Sequence, residues 1–331
     1  MAKKLNVHVA ALSSQPEVFW VTQERVKAAC RRHKDVARHV RFDWSWEHDR
    51  FAEGIAEADI MIGWRFPGPE LKTMAPKLKW ITLTGAGTEH LQPFSWVWPG
   101  LKLTNNSGVH AEKAAEFAGA SVLAMAHGLP FFATTKAGKR WEKRFTTRIE
   151  GGTAVVIGLG GMGGATARWL KQKLGMTVIG VTRTGKPFRW ADKVVTADKI
   201  DRVLPKADTV VVMAPLTDAT ENLLSRSRLE AMKPGATLLN MGRARIVDYN
   251  ALADLLESGR LAGAVLDVFD PEPLPRKSRL WTTPNLILSP HCSSDDAENY
   301  IPKTLDWFFA NLERYLDGRR LTNRVDTRLQ Y

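Results

Sequence analysis

Cysteine is almost missing from this sequence. Only Cys30 and Cys292 occur among 331 residues, and neither has a partner at metal-ligand spacing. This scarcity argues against a disulfide-stabilised secreted domain and against a zinc centre. A chain of this length buries enough apolar surface to fold without either. We therefore expect no metal site, and we expect Cys292 to be a packing residue rather than a nucleophile.

Long apolar runs are missing as well. No stretch approaches the roughly 18 consecutive apolar residues that suggest a membrane-spanning helix, and the first residues show no signal-peptide pattern. Hydrophobic residues make up 44% of the chain and charged residues 25%, proportions typical of a globular protein. The sequence therefore predicts a cytoplasmic protein with no membrane partner.

Acidic residues are the scarcer charged class. The chain has 35 Asp and Glu against 47 Lys and Arg, a formal net charge of +12. Two basic clusters, residues 27–34 and 136–144, have the spacing of a solvent-facing helix surface. No nucleic-acid-binding motif accompanies them, so we expect no nucleic-acid partner. Positive charge instead speeds the arrival of anionic small molecules, such as oxo acids and phosphorylated cofactors.

The first third of the chain alternates between strand-like and helix-like segments. Such alternation predicts a parallel, doubly wound sheet, in which ligands bind at the carboxyl ends of the strands. A helix is predicted from Pro16 to Arg32, and the predicted strands are Asn6–Leu12, Val40–Trp44, Ile60–Gly63 and Trp80–Thr84. The loops after the last two strands contain the candidate substrate contacts Trp64, Arg65, Ala86 and Gly87.

A second α/β series follows a helix predicted from Ser107 to His127. Its predicted strands are Ala154–Ile157, Thr177–Val181, Thr209–Met213, Thr237–Asn240, Gly263–Val268 and Asn285–Ser289. An amphipathic helix is predicted from Tyr300 to Leu316, and it could pack back on the first domain. We therefore predict two domains, a discontinuous one of residues 1–106 with 292–331 and a continuous one of residues 107–291.

A glycine-rich turn opens the second series. Gly158, Gly160 and Gly163 form a G-x-G-x-x-G pattern, with Gly161 and Met162 inside it, after an apolar strand and before a helix. The first glycine permits a tight turn, the second lets a pyrophosphate approach, and the third lets helix and strand pack closely. We therefore predict that residues 107–291 form a Rossmann nucleotide-binding domain. The other domain is predicted to be a flavodoxin-like substrate domain.

The end of the next strand decides which dinucleotide binds. An NAD site usually carries Asp or Glu there, to accept a hydrogen bond from the ribose 2′-hydroxyl. This chain has instead Thr182, Arg183, Thr184 and Lys186, and a guanidinium at that point binds a 2′-phosphate well. We expect a preference for NADP(H), with NAD(H) possible if Arg183 is merely a surface residue.

Three further segments carry reactive side chains after successive strands. They are Asn240–Asp248, Leu266–Pro275 and Ser289–His291, and they place Arg243, Glu272 and His291 in the same half of the molecule. This set resembles the D-isomer-specific 2-hydroxyacid dehydrogenase family, through its patterns N-x-[AG]-R-x-x-x-V-D, L-D-V-F-x-x-E-P-L-P and P-H. The likeness extends over nearly the whole chain, with further matches at Met213–Thr217, Gly85–Glu89 and Ala115–Ala118.

The resemblance implies a hydride transfer between a nicotinamide cofactor and a small 2-oxo or 2-hydroxy acid. His291 would exchange the proton, because histidine titrates near neutral pH. Glu272 would orient its ring and favour the protonated form. Arg243 would bind the substrate carboxylate in a two-pronged fork. The remaining implied cofactor contacts are Ala214, Pro215, Met241, Gly242 and Asp267, and the resemblance also implies a homodimer with the nucleotide-binding domains in contact.

Several alternatives remain open at this point. Glyoxylate and hydroxypyruvate are the leading substrates, reduced to the D-hydroxy acid, while phenylpyruvate or a branched oxo acid would need a larger pocket that Trp46, Trp64 and Tyr300 could line. A dinucleotide-sensing protein of the same fold is a second hypothesis. Formate or phosphite oxidation is a third, and Glu272 argues against formate. The residues that follow His291 depart from the family pattern, and His90, His110 and His127 have no matched partner in the sequence.

Overall fold

The computed structural model describes residues 4–46 and 50–330. It divides the chain into two compact units, Met1–Val109 with Asp296–Tyr331 and His110–Asp295. Each unit contains one parallel sheet flanked by helices. The predicted fold class, two α/β domains with parallel sheets, is therefore confirmed.

The first unit has a five-stranded sheet. Its order is β2-β1-β3-β4-β5, and every neighbouring pair is parallel. The order reverses beside β1, which is typical of a doubly wound sheet. The strands are β1 Leu5–Ala11, β2 Val40–Trp46, β3 Ile60–Gly63, β4 Trp80–Leu83 and β5 Lys102–Thr104.

Helices cover both faces of this sheet. The long last helix contributes Phe308, Phe309 and Leu312 to the same apolar core as Val7 and Val9 of β1, so it completes the first unit as its amphipathic pattern predicts. A second core lies on the other face and includes residues of α3 and α4. The helices are α1 Gln23–Arg32, α2 Lys34–Ala37, α3 Phe51–Ala56, α4 Leu71–Met74 and, at the carboxyl end, α10 Tyr300–Leu316.

The second unit has a seven-stranded parallel sheet in the order β12-β11-β10-β9-β6-β7-β8. The order reverses at β6, from which the chain winds outward in both directions. Three of its strands, β9, β10 and β11, are buried throughout, and so are the last four residues of β6, as expected for parallel strands covered on both faces. The strands are β6 Thr153–Ile157, β7 Thr177–Thr182, β8 Lys193–Thr196, β9 Thr209–Val212, β10 Thr237–Asn240, β11 Gly263–Leu266 and β12 Leu286–Leu288.

Helices pack on both faces of the second sheet and bury two apolar cores. They are α5 Ala111–Ala126, α6 Leu129–Ala137, α7 Gly161–Leu174, α8 Arg226–Glu230 and α9 Tyr249–Glu257. No single helix in the described residues is long and apolar enough to span a membrane. Within the same described residues, one pair of helices, α5 and α6, bent by 64°, meets that test of length and composition together.

Some element boundaries differ from the sequence-based ones. The helix predicted from Pro16 starts at Gln23, because Thr22 caps it by accepting the backbone N–H of Arg25. The residues before it form a short 3-10 turn, Glu17–Phe19. The helix predicted from Ser107 starts at Ala111. The short strands β5 and β8 were not predicted.

Candidate active site

The loops of the second unit that carry the predicted reactive residues all leave one edge of the sheet, because its strands are parallel. Arg243 follows β10, Glu272 follows β11 and His291 follows β12, and these three strands are neighbours. The glycine-rich turn follows β6, where the strand order reverses. In open α/β sheets such a reversal is where ligands bind.

The glycine-rich turn leaves room for a pyrophosphate. Gly158 has a φ of +91°, and a Cβ on Gly163 would lie 1.8 Å from the Gly158 carbonyl oxygen, so α7 could not begin this close to β6 with a larger residue. At Gly160, by contrast, a Cβ would meet no heavy atom within 4 Å. Gly161 and Met162 begin α7, whose first-turn N–H groups favour an anion. The turn therefore fits a dinucleotide.

The predicted 2′-phosphate segment is a tight turn at the end of β7. The Thr182 hydroxyl accepts the backbone N–H of Gly185 at 3.0 Å, which closes the turn. The side chains of Arg183, Thr184 and Lys186 are exposed. The turn thus offers two cationic groups and two hydroxyls, and no carboxylate, to an incoming ribose.

His291 and Glu272 form a hydrogen-bonded pair. Nδ1 of His291 lies 3.0 and 2.9 Å from the two carboxylate oxygens of Glu272. The Glu272 carboxylate also accepts the backbone N–H of Phe269 at 2.9 Å, which fixes its position. With Nδ1 engaged by the carboxylate, Nε2 is the ring atom available to exchange a proton with a ligand. The histidine is 43% exposed, so a ligand can reach it.

Arg243 belongs to a loop that a buried amide holds. The Asn240 side chain accepts the N–H of Gly242 at 3.0 Å and donates to the Arg243 carbonyl at 3.1 Å and to the Tyr249 hydroxyl at 2.9 Å. That hydroxyl donates to the Val268 carbonyl at 2.8 Å, which ties the loop after β10 to the loop after β11. Burial raises the pKa of Tyr249 far above its ordinary value, so the hydroxyl remains a donor.

Asp267 anchors the loop that carries His291. Its carboxylate is only 2% exposed and accepts the hydroxyls of Ser289 at 2.7 Å and Ser293 at 2.6 Å, as well as the backbone N–H of Ser293 at 3.2 Å. The chain is therefore fixed on both sides of His291. The contact of Asp267 with a nicotinamide, which the resemblance implies, stays a prediction.

One pair of titratable residues was missed by the sequence reasoning. His110, immediately before α5, lies with its Nδ1 3.6 Å from a carboxylate oxygen of Asp295 and 3.2 Å from the Ser294 carbonyl. Burial lowers the pKa of His110 and raises the pKa of Asp295. The only signal in the sequence was the unusual stretch after His291, because the partners are far apart along the chain.

In the first unit, the candidate substrate loops follow β3 and β4. The ring of Trp64 lies against Gly85, where a Cβ would stand 2.3 Å from it, and its centroid is 4.1 Å from the ring centroid of His90. The His90 ring also lies 2.8 Å from the Trp64 carbonyl oxygen. Trp64 is therefore fixed in place, whereas Arg65 is exposed.

The Gly85–Gly87 loop has an orientation set by its carbonyl groups. The Gly85 carbonyl accepts the backbone N–H of Asn106 at 2.9 Å, and the Ala86 carbonyl accepts the side-chain amide of Asn105 at 2.8 Å. The N–H and C=O groups of a trans peptide point in opposite directions. The N–H groups of Ala86 and Gly87 therefore point away from those two asparagines.

Two other aromatic residues that could line a larger pocket also lie in the first unit. Tyr300 is 5% exposed and donates its hydroxyl to the Thr84 carbonyl at 2.6 Å, so it supports the loop after β4 from within the core. Trp46, at the end of β2, packs edge-on against Trp20 with ring centroids 5.5 Å apart. The Tyr300 side chain thus supports the candidate substrate loop by binding the backbone at the start of that loop.

Comparison with known proteins decides the family. Residues 120–293 match the family described as D-isomer specific 2-hydroxyacid dehydrogenase, NAD binding domain, which is more than half of the chain. The chain belongs to this family. It is also 30% identical, over 80% of both chains, to a protein named glyoxylate reductase from Thermofilum pendens.

Two solved structures of the family are similar over their full length. The D-isomer specific 2-hydroxyacid dehydrogenase of Xanthobacter autotrophicus Py2, solved with NADPH and MES, is 28% identical with a TM-score of 0.83, and all of both chains is covered. A family member from Aeromonas salmonicida is 28% identical with a TM-score of 0.80, covering 98% of this chain and 100% of that one. The protein is therefore an NAD(P)-dependent oxidoreductase of 2-hydroxy acids, as the sequence patterns predicted.

Proposed function

We propose that this dehydrogenase reduces a small 2-oxo acid to the D-2-hydroxy acid and prefers NADPH as the reductant. The observation that carries the proposal is the His291–Glu272 pair, held at 2.9–3.0 Å on the same sheet edge as the glycine-rich turn. In the reduction, a hydride and a proton would add to the 2-oxo group, with oxidation of the nicotinamide as the balancing change. The bound dinucleotide supplies the hydride.

The protein's residues supply the proton and hold the substrate. Nε2 of His291 donates the proton to the carbonyl oxygen, and Glu272 stabilises the protonated ring beforehand. Arg243 binds the substrate carboxylate and polarises the neighbouring oxo group. The N–H groups of Ala86 and Gly87 are proposed as further donors to the carboxylate, with Trp64 and Arg65 limiting substrate size. Microscopic reversal gives oxidation of the hydroxy acid, with neutral His291 as the base.

The preference for NADPH rests on the turn after β7. Arg183 and Lys186 are exposed cations beside the hydroxyls of Thr182 and Thr184, and a carboxylate that would repel a 2′-phosphate is missing from the turn. The Xanthobacter autotrophicus relative was solved with NADPH, which supports the proposal. Gly158 to Gly163, Ala214, Pro215, Met241, Gly242 and Asp267 are proposed to hold the rest of the dinucleotide.

Glyoxylate and hydroxypyruvate are the proposed substrates. The relative from Thermofilum pendens is named glyoxylate reductase, and so is a protein of Thermococcus litoralis that is 32% identical over 68% of this chain and 70% of its own. Both acids present a carboxylate next to a carbonyl with at most one further carbon. They therefore need only the arginine fork, the proton donor and a small pocket.

The test is to measure initial rates of NADPH and NADH oxidation, in parallel, with glyoxylate, hydroxypyruvate, pyruvate, phenylpyruvate and a branched 2-oxo acid. We expect a higher kcat/KM with NADPH than with NADH. We also expect a higher kcat/KM with glyoxylate and hydroxypyruvate than with the other three acids. Equal rates with both cofactors would contradict the preference, and faster turnover of phenylpyruvate would contradict the small pocket. Tight cofactor binding without turnover of any acid would favour a dinucleotide-sensing protein.

We also propose that the protein forms a homodimer through its nucleotide-binding domains, as the family resemblance implies. Static light scattering at micromolar concentration should give twice the mass of one chain. A monomer mass under those conditions would contradict the proposal.

A further inference from the structure

The loop that carries His291 is bent into an uncommon backbone conformation. His291 has a φ of +52°, in the left-handed region that residues with a side chain adopt at an energetic cost. Such a conformation persists only where the surroundings hold it. Upstream, the N–H of His291 donates to the Ser289 carbonyl at 2.9 Å, and Asp267 accepts the hydroxyls of Ser289 upstream and of Ser293 just downstream.

Downstream of His291, the last residues of the loop contact the buried His110. The N–H of Asp295 donates to the Cys292 carbonyl at 3.2 Å and closes a turn, and His110 then contacts both the Ser294 carbonyl and the Asp295 carboxylate. His110 is only 8% exposed and sits at the start of α5, a helix of 16 residues packed in the core of the second unit. The loop is thus attached to α5 through His110.

We propose that His110 and Asp295 are positioning residues for His291, which hold its loop in the left-handed turn. The proposal rests on the proposed reductase function, in which His291 is the proton donor. His110 supplies the attachment to α5, and Asp295 supplies the carboxylate that the His110 ring contacts. Neither residue touches the reacting atoms in this scheme.

Both members of the attachment are polar groups in a buried place. Burial lowers the pKa of His110 and raises the pKa of Asp295, and the opposite charge of each partner acts against that shift. Replacement of either member should therefore weaken the attachment of the loop to α5.

The first test is Asp295→Asn, which keeps the size of the side chain and removes its charge. We expect kcat for 2-oxo acid reduction to fall by about tenfold or more, because the contact that positions the His291 loop is weakened. KM for NADPH should stay within about twofold, because the cofactor loops are untouched. Asp270→Asn, which neutralises an exposed carboxylate two residues before Glu272, should leave kcat unchanged.

The attachment of the loop to His110 is tested by comparing His110→Gln with His110→Ala. Glutamine keeps a donor for the Ser294 carbonyl, so it should retain more of kcat than alanine, which we expect to lose about tenfold or more. His127→Gln, an exposed position at the other end of α5, is the control. Thermal unfolding of each variant with NADPH bound shows whether the fold survives. Equal kcat for all three histidine variants would overturn the attachment.

A measurement without turnover separates this proposal from the proposed function. The NMR resonances of the His291 ring, assigned by their loss in His291→Gln, can be compared between the wild-type protein and Asp295→Asn with NADPH bound. If no 2-oxo acid turns over, the reductase function fails, yet the resonances still report on the position of the ring. Identical resonances in both proteins would overturn the role of Asp295.

Discussion

Gly163 lies against Gly158 so closely that a Cβ on Gly163 would stand 1.8 Å from the Gly158 carbonyl oxygen. This contact determines how near α7 begins to β6, and therefore where the first-turn N–H groups present themselves to a phosphate. Gly160, between the two, has no heavy atom within 4 Å of an added Cβ. Gly163 and Gly160 should consequently respond differently to substitution by alanine.

Gly163→Ala should damage the fold, and Gly160→Ala should damage only cofactor binding. The first forces backbone groups apart and should lower the free energy of unfolding by about 1–3 kcal/mol, the usual cost of overpacking. The second should leave the melting temperature without ligand unchanged and weaken NADPH binding, because the methyl group occupies the pyrophosphate's place. Differential scanning calorimetry and fluorescence titration with NADPH measure the two effects. Equal melting temperatures for both variants would be inconsistent with the geometry.

His291→Ala should remove the proton donor and keep the cofactor site. We expect kcat for 2-oxo acid reduction to fall by about 10²-fold or more, the usual contribution of a general acid, with NADPH affinity retained. Cys292→Ala is the matched control, because Cys292 adjoins His291 and is exposed. Its turnover should remain within about twofold of wild type. A large loss in the cysteine variant would indicate that the thiol takes part after all.

Glu272→Gln should lower the rate and leave cofactor binding intact. The amide can still contact His291 Nδ1, but it removes the negative charge 2.9 Å from that atom. Reduction consumes the protonated ring, which the carboxylate stabilises and the amide does not. We expect kcat for reduction to fall by about tenfold or more, with NADPH affinity retained. Steady-state kinetics and fluorescence titration with NADPH test this, and an unchanged kcat would rule out the proposed role.

Arg183→Ala should raise KM for NADPH by about tenfold or more, with KM for NADH changed little, since only the 2′-phosphate contact is lost. Arg189→Ala serves as the control in the same segment, because its guanidinium lies over the Trp190 ring, 4.3 Å from the centroid. Steady-state kinetics with both cofactors measure the effect. Equal losses for the two cofactors would show that Arg183 does not bind the 2′-phosphate.

The sequence was sufficient for the sheet strands that are apolar throughout. Ile60–Gly63 and Thr237–Asn240 were located at their observed bounds, because all four residues of each are buried on both faces. Lys102–Thr104 and Lys193–Thr196 were missed, because each is short and begins with a lysine, as a loop often does. Their strand conformation depends on pairing with β4 and β7, which local sequence does not encode.

The candidate site shows the same limit. The contact between Glu272 and His291 could be expected from their patterns, because each follows a recognisable strand and the strands are neighbours. The contact between His110 and Asp295 could not be expected, because these residues are the first and the last of the second unit along the sequence. Likewise the sequence offered Tyr300 only as a residue that could line a larger pocket, and it gave no sign that the Tyr300 hydroxyl donates to the Thr84 carbonyl inside the core of the first unit.

The discontinuity of the first unit has a consequence for synthesis on the ribosome. Its sheet is complete by Thr104, yet Phe308, Phe309 and Leu312 of its core come from α10, made some two hundred residues later. The second unit lies wholly between these two parts. The second unit is therefore synthesised completely before the first unit is. It can fold while the amino-terminal sheet still exposes apolar surface. The nascent chain therefore departs from the common amino-terminal-first order and needs protection from aggregation until its last helix emerges.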